Sequence, residues 1–450
     1  MKVGIARSQP PMPGPIRPYR FPDFLRTRLD NGLEVVVATM KAVPLARHEL
    51  ILPAGNQYES ADAAGLAALT GAMLKEGTAE RSGLDIATAA ESLGGSLATG
   101  VDRDVGYAAS GVLSRHYEAS VELIASSVLG ARFPGRDLER VRRQHLTDLV
   151  RQRDSPRLRA RQELMRLLYP GTPYAHPVIG IEEVLQSISR DQVVDFARRH
   201  VVPNGSFLIA VGDIEPGAFL DVANRAFGHW QSREAPVRPT IDPVSSDGPR
   251  YVVIDRPGAP QTQLIVGHVG VPRNTPAYPA RTVLNTILGG RFTSRLNVEL
   301  RHRLGLTYSV NSRFVAQQGP GPFEVRAAID NEGVRRAVEA VHRQLHLLRD
   351  EGVEAKEVQE SRQYLAGVFP YATQTMADIA RRLEILSVHG LEDDYWDTYV
   401  DRLLAVETED VQRAARAYLR PDELIAVAVG PAAVLEPQLS VLGEVEVIAS

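Results

Sequence analysis

Apolar positions along the chain follow two periods. Asn31-Gly32 is a hairpin-turn signal, and the valine-rich run Glu34 to Ala38 after it predicts a β-strand. A second strand is predicted over His48 to Leu52, ending at Pro53-Ala54-Gly55. From Asp62 the period lengthens. Leu66, Leu69 and Met73 fall on one face of a helix that Gly77-Thr78 closes. Val334, Ala337, Val338, Val341, Leu345 and Leu348 make a similar stripe late in the chain. Two stretches lack any period. Residues 1–24 are rich in proline and predict an extended arm, either for docking or as a disordered tail. Residues 231–250 hold prolines and serines and predict a linker.

The linker divides the chain into residues 25–230 and 251–450, and these halves read as copies. The segment from Ile188 to Gly212 matches that from Val406 to Gly430 without a gap. Val193/Val411, Ala197/Ala415, Arg198/Arg416, Pro203/Pro421 and Gly212/Gly430 are identical. Each copy is a polar helix start, an amphipathic helix, a proline stop and a β-branched strand. Val121-Glu122 recurs as Val338-Glu339 at nearly the same offset. The pattern predicts a duplicated α+β unit in which helices cover a sheet.

Composition removes several classes of function. With 51 basic and 55 acidic residues the formal charge is -4, and no basic run marks a nucleic-acid partner. The chain has no cysteine, which excludes disulfides and thiolate metal sites. No stretch approaches the roughly 20 apolar residues of a membrane span. Met1 to Arg20 lacks the apolar core of a signal peptide. The sequence as it stands therefore predicts a cytoplasmic protein, or a periplasmic one if a leader was removed.

The candidate chemistry lies in two segments. Leu288-Gly289-Gly290, Ser294-Arg295-Leu296, Leu300-Arg301 and Gly305-Leu306-Thr307-Tyr308-Ser309-Val310 follow one another in the second half. In the first half, Gly65 to Thr78 reads GLAALTGAMLKEGT. Together these segments resemble the pitrilysin/insulinase (inverzincin) metallopeptidases, in their processing-peptidase-like branch. In active members the first-half segment carries H-x-x-E-H between the same glycines and the same Gly-Thr end. Here the two histidine positions are Ala68 and Ala72, and the general-base position is Gly71. The family's third ligand, a glutamate farther along, falls by spacing on Asp148. A zinc helix needs two imidazoles four residues apart on one face, plus a third ligand. Alanine and glycine supply neither ligand nor base, so no zinc is expected in this chain. His342 and His346 are also four apart, but Leu345 stands where a base would be, and they flank an apolar stripe. They read as boundary histidines. His48 and His145 read as ordinary polar positions.

The resemblance implies two homologous halves, each of two similar antiparallel-sheet-plus-helices subdomains, in a clamshell around a chamber. It implies that Arg301 and Tyr308 act on a substrate oxyanion. With the ligands gone, it implies a zinc-less subunit of a heterodimeric peptidase. The partner would be a homologue bearing HxxEH and the zinc, and the substrates unfolded peptides. The alternative is a scaffold or peptide-binding homologue without enzymatic function.

Overall fold

The computed structural model of the chain describes residue 14 and residues 16–449. Most of the proline-rich arm lies outside the described residues. Among the described residues, twelve strands form two six-stranded sheets. The first contains β1 (Phe24–Arg28), β2 (Glu34–Thr39), β3 (Leu45–Leu52), β4 (Leu97–Val101), β5 (Gly106–Leu113) and β6 (Phe207–Gly212), in the order β1-β2-β6-β3-β5-β4. The second contains β7 (Arg250–Asp255), β8 (Thr262–Val269), β9 (Val310–Phe314), β10 (Pro322–Ile329), β11 (Ile425–Gly430) and β12 (Val445–Ile448), in the order β12-β7-β11-β8-β10-β9. Neighbours are antiparallel except β2/β6, β7/β11 and β7/β12. Residues 231–249 carry no helix or strand.

The α+β class and the duplication stand, with one correction. Each half holds one sheet-plus-helices unit where two were expected, and each sheet is mixed rather than purely antiparallel. The physical reason is that two of the helices cross. One face of the first sheet (Val35, Val37, Leu50, Leu52, Leu208) packs on helices of its own half through Leu69, Ile124 and Phe219. Its other face (Val36, Ala38, Ile51, Ile209, Val211) is covered by Ile379 and Leu383 of the helix Met376–His389, which belongs to the second half. The second sheet is treated reciprocally. Ile254, Ile265, Val427 and Val429 lie under Ala160, Leu164 and Leu168 of the helix Pro156–Leu168, from the first half. Both sheets are thus buried on two faces, which takes helices enough for four layers from one chain.

Local sequence explains the elements. Gly32 in the Asn-Gly turn has φ +98, and a Cβ there would lie within 2.6 Å of the Asn204 side chain. β3 begins at Leu45, ahead of the predicted His48, and the predicted helix start at Asp62 is a 3-10 turn before Leu66–Met73. β1 escapes a period-based reading because Phe-Leu-Arg-Thr-Arg does not alternate cleanly.

Candidate functional site

The helix Leu66–Met73 is fixed at its N-terminus by a buried carboxylate. Glu59 accepts hydrogen bonds from Gly65 N (3.2 Å) and Ala67 N (2.5 Å). A negative or polar cap suits the unpaired N–H groups and the positive helix end. Burial nevertheless pushes the Glu59 carboxyl up to about 8, against these bonds and the Arg103 charge. His176 Nε2 lies 4.0 Å from Glu59 and has no hydrogen-bond partner, and burial lowers its imidazole. Both groups are driven toward neutrality, so they are not an ion pair near neutral pH.

Ala68 and Ala72 line a cavity of about 390 Å³ with Thr99, Gly100 and Val101 at the β4 end, Tyr107 of β5, and His145, Gln152, Arg161 and His176 opposite. Asp148 is not in its wall. It pairs with Arg151 at 3.1 Å, and 47% of its side chain is exposed. The helix Gly135–Arg153 instead turns His145 and Gln152 toward Ala68 and Ala72. His145 was read as an ordinary polar position. Its side chain is partly buried, its Nδ1 is unpartnered, and burial lowers its pKa. The residues do not fit zinc. Among the described residues no three His, Asp or Glu side chains converge on a metal position.

Gly71 is set by packing. A Cβ on it would meet Val101 Cγ1 at 2.8 Å and Gly100 C at 2.9 Å. The helix therefore presses directly on the edge strand β4, where a longer side chain has no room.

Arg301 and Tyr308 come together away from that cavity, since neither is among its lining residues. Arg301 sits on a π-helical turn, Val298–Arg303, that continues the short helix Arg295–Asn297. Asn297 ties this turn to the start of β9. Its Nδ2 donates to Val310 O (2.8 Å), and its Oδ1 accepts from Val310 N (3.3 Å). Thr307 Oγ1 accepts from Ser309 N (3.2 Å) and donates to Ser309 O (2.9 Å), shaping the bend that carries Tyr308. Gly289 admits β9, because a Cβ there would lie 2.8 Å from Ser312 N. On this frame the Arg301 guanidinium lies 4.7 Å from the Tyr308 ring centroid and 4.5 Å from that of Phe292. Tyr308 is 82% exposed and Phe292 58%. Sequence reading missed Phe292. Its position between the Gly-Gly and Ser-Arg-Leu elements was the available signal.

His48 and His346 have structural partners, whereas His342 Nε2 is buried without one. His48 is fully buried, 2.8 Å from Ser120 Oγ, and burial pushes it down to about 3. His346 sits 3.4 Å from Asp350 and 3.6 Å from Asp422 in an exposed cluster with Arg349. No helix is long and apolar enough to cross a membrane, among the described residues.

Comparison with known proteins agrees with this fold. The insulinase (peptidase family M16) profile matches residues 35–182, and the peptidase M16 inactive domain profile matches residues 187–365. An uncharacterized zinc protease of Mycobacterium tuberculosis is 30% identical over 305 residues, 67% of this chain and 69% of the relative. One from Streptomyces coelicolor is 24% identical over 412 residues, 90% of this chain and 89% of the relative. The crystal structure of a peptidase M16 inactive domain from Pseudomonas fluorescens is 28% identical, with a TM-score of 0.84 over 91% of this chain and 98% of that one. A protease from Helicobacter pylori shares the fold at 18% identity and a TM-score of 0.82, over 91% of this chain and all of that one. The chain belongs to the insulinase family, peptidase family M16.

Proposed function

We propose that this chain is the zinc-less subunit of a two-chain metallopeptidase, and that Arg301 and Tyr308 complete an active site whose metal and general base lie in an HxxEH-bearing homologue. The observation that carries this reading is the Arg301–Tyr308 stack. It is ordered from behind by Asn297 and Thr307 and open in front. Arg301 meets ring faces, and no carboxylate of the described residues neutralises it. A guanidinium offers fixed, charge-assisted donors, and a phenol adds one more. In this role both donate to the oxygen that gains charge as a peptide carbonyl is attacked. The loss of the first-half residues supports the same division, because Ala68, Gly71 and Ala72 supply no ligand and no base. Residues 25–230 and 251–450 act as the two halves, joined through 231–250. The substrates are unfolded peptides, for which an edge strand is a suitable template.

Mixing tests the proposal. The purified chain should hold no stoichiometric zinc and cleave nothing, and an HxxEH homologue from the same source should gain peptidase activity on its addition. Arg301→Ala and Tyr308→Phe should each lower turnover by roughly a hundredfold to a thousandfold, the loss typical of one oxyanion donor, about 2.7–4 kcal/mol. The subunits should still co-elute. Full turnover in both variants would refute the assigned role. Assembly without any gain of activity would favour the scaffold alternative.

A further inference from the structure

Beside Tyr308 the second sheet carries a group of arginines that the peptidase chemistry does not use. Glu324 of β10 has no exposed side-chain surface, yet three guanidiniums contact it. Arg161 Nε lies 3.2 Å from one oxygen, Arg313 Nε lies 3.2 Å from the other, and Arg326 bonds the second as well. The strand pairings explain the convergence. Glu324 is paired with Arg313 of β9, and Arg326 with Asn311, so all four stand on one face. Arg161 arrives from the crossing helix Pro156–Leu168, one turn after Arg157. A cavity of about 370 Å³ opens here, between Arg157 on the helix and Ser309, Asn311, Arg313 and Arg326 on the sheet.

The charge balance is unusual. One carboxylate cannot neutralise three guanidiniums, and it offers about four lone-pair sites against fifteen N–H donors. Arg326 Nε is buried without a partner, and Arg157 has no ion pair among the described residues. Partly desolvated cations left in excess create a favourable place for an anion. The matching positions in the first sheet, followed through the same strand pairings, are Tyr107 for Glu324, Ala109 for Arg326 and Gly100 for Arg313. The cluster is therefore a property of the second half and not of the duplicated fold. The cavity also lies along β9, the edge strand that begins two residues after Tyr308.

We infer that this cavity is a carboxylate-recognition site, which takes an acidic side chain or the free C-terminus of a peptide lying along β9. The spare donors of Arg313 and Arg326 would bind the carboxylate oxygens, with Arg157 across the cavity. The inference builds on the peptidase reading by naming a feature of its substrate. Its test uses this chain alone, so failure to find an activating partner would not affect it.

The experiment is isothermal titration of the full chain with octapeptides of serine and valine. One carries a single glutamate and a C-terminal amide, one a glutamine and a free C-terminus, and one a glutamine and an amide. At least one carboxylate peptide should bind about tenfold tighter than the neutral one, the discrimination typical of a charged hydrogen bond. Which of the two does so identifies the source. The preference should weaken as salt rises. Arg313→Gln and Arg157→Gln should each reduce it severalfold. Arg157 is exposed on the first helical turn, which guards against loss of fold. Equal binding of all three peptides, or a preference that survives both substitutions, would overturn the inference.

Discussion

Replacing Glu59 by glutamine should remove most of one component of the protein's pH dependence. The Glu59 carboxyl rises from its ordinary 4.5 to about 8 on folding, chiefly through burial. The folded state then holds its proton more tightly than the unfolded chain does. Below about pH 4.5 both states are protonated and the group has no pH-dependent effect. Between 4.5 and 8 the unfolded chain ionises while the folded one does not, so stability falls as pH rises. Above 8 the loss is complete. At 1.36 kcal/mol per pH unit the whole window amounts to about 5 kcal/mol. Glutamine cannot ionise. Its amide replaces one of the oxygens that accept from Gly65 N and Ala67 N, which adds a constant loss of about 1 kcal/mol at every pH. Urea unfolding of both proteins at intervals between pH 5 and 8 measures the difference. The two proteins should be about equally stable near pH 5, and the variant should lead by roughly 4 kcal/mol as pH approaches 8. Comparing the two proteins cancels Asp104 and Glu384, which burial pushes to about 7 and which titrate in the same direction. A difference that stays constant across the range would show that Glu59 is ionised in the folded protein, and would refute the argument.

Two further substitutions test the packing. Leu164→Ala empties a fully buried site where the crossing helix meets Gly267, and should destabilise the protein by roughly 2–5 kcal/mol in chemical denaturation. A value below about 1 kcal/mol would mean that the helix is not seated as described. Gly71→Ala should cost about 1–3 kcal/mol, because its methyl meets the Gly100 backbone, and Gly71→Glu should cost more. An unchanged melting temperature in both would show that the helix can retreat from β4.

Much of this was legible in the sequence, and the gaps have physical causes. The valine run of β2 and the helix stripe of Leu66, Leu69 and Met73 are local patterns, and local patterns survive in one dimension. The ordered motif around Arg301 and Tyr308 is likewise local, and the turn that stacks them is encoded within it. The crossing of Pro156–Leu168 and Met376–His389 was not legible. An amphipathic helix states that it buries a face but not which sheet receives it. Counting along the chain led to Asp148, whereas the rotation of the helix Gly135–Arg153 presents His145 and Gln152. The cluster around Glu324 was not legible either, because its three arginines come from three separate segments.

The exchanged helices have a mechanical consequence. Each sheet is clasped by an element whose covalent connections lie in the other half, so pulling the halves apart would strip both sheets of one apolar face at once. A hinge between them would have to break two hydrophobic seams with no compensating contact. Parting the halves therefore exposes both seams together, and the exchange resists separation from either side.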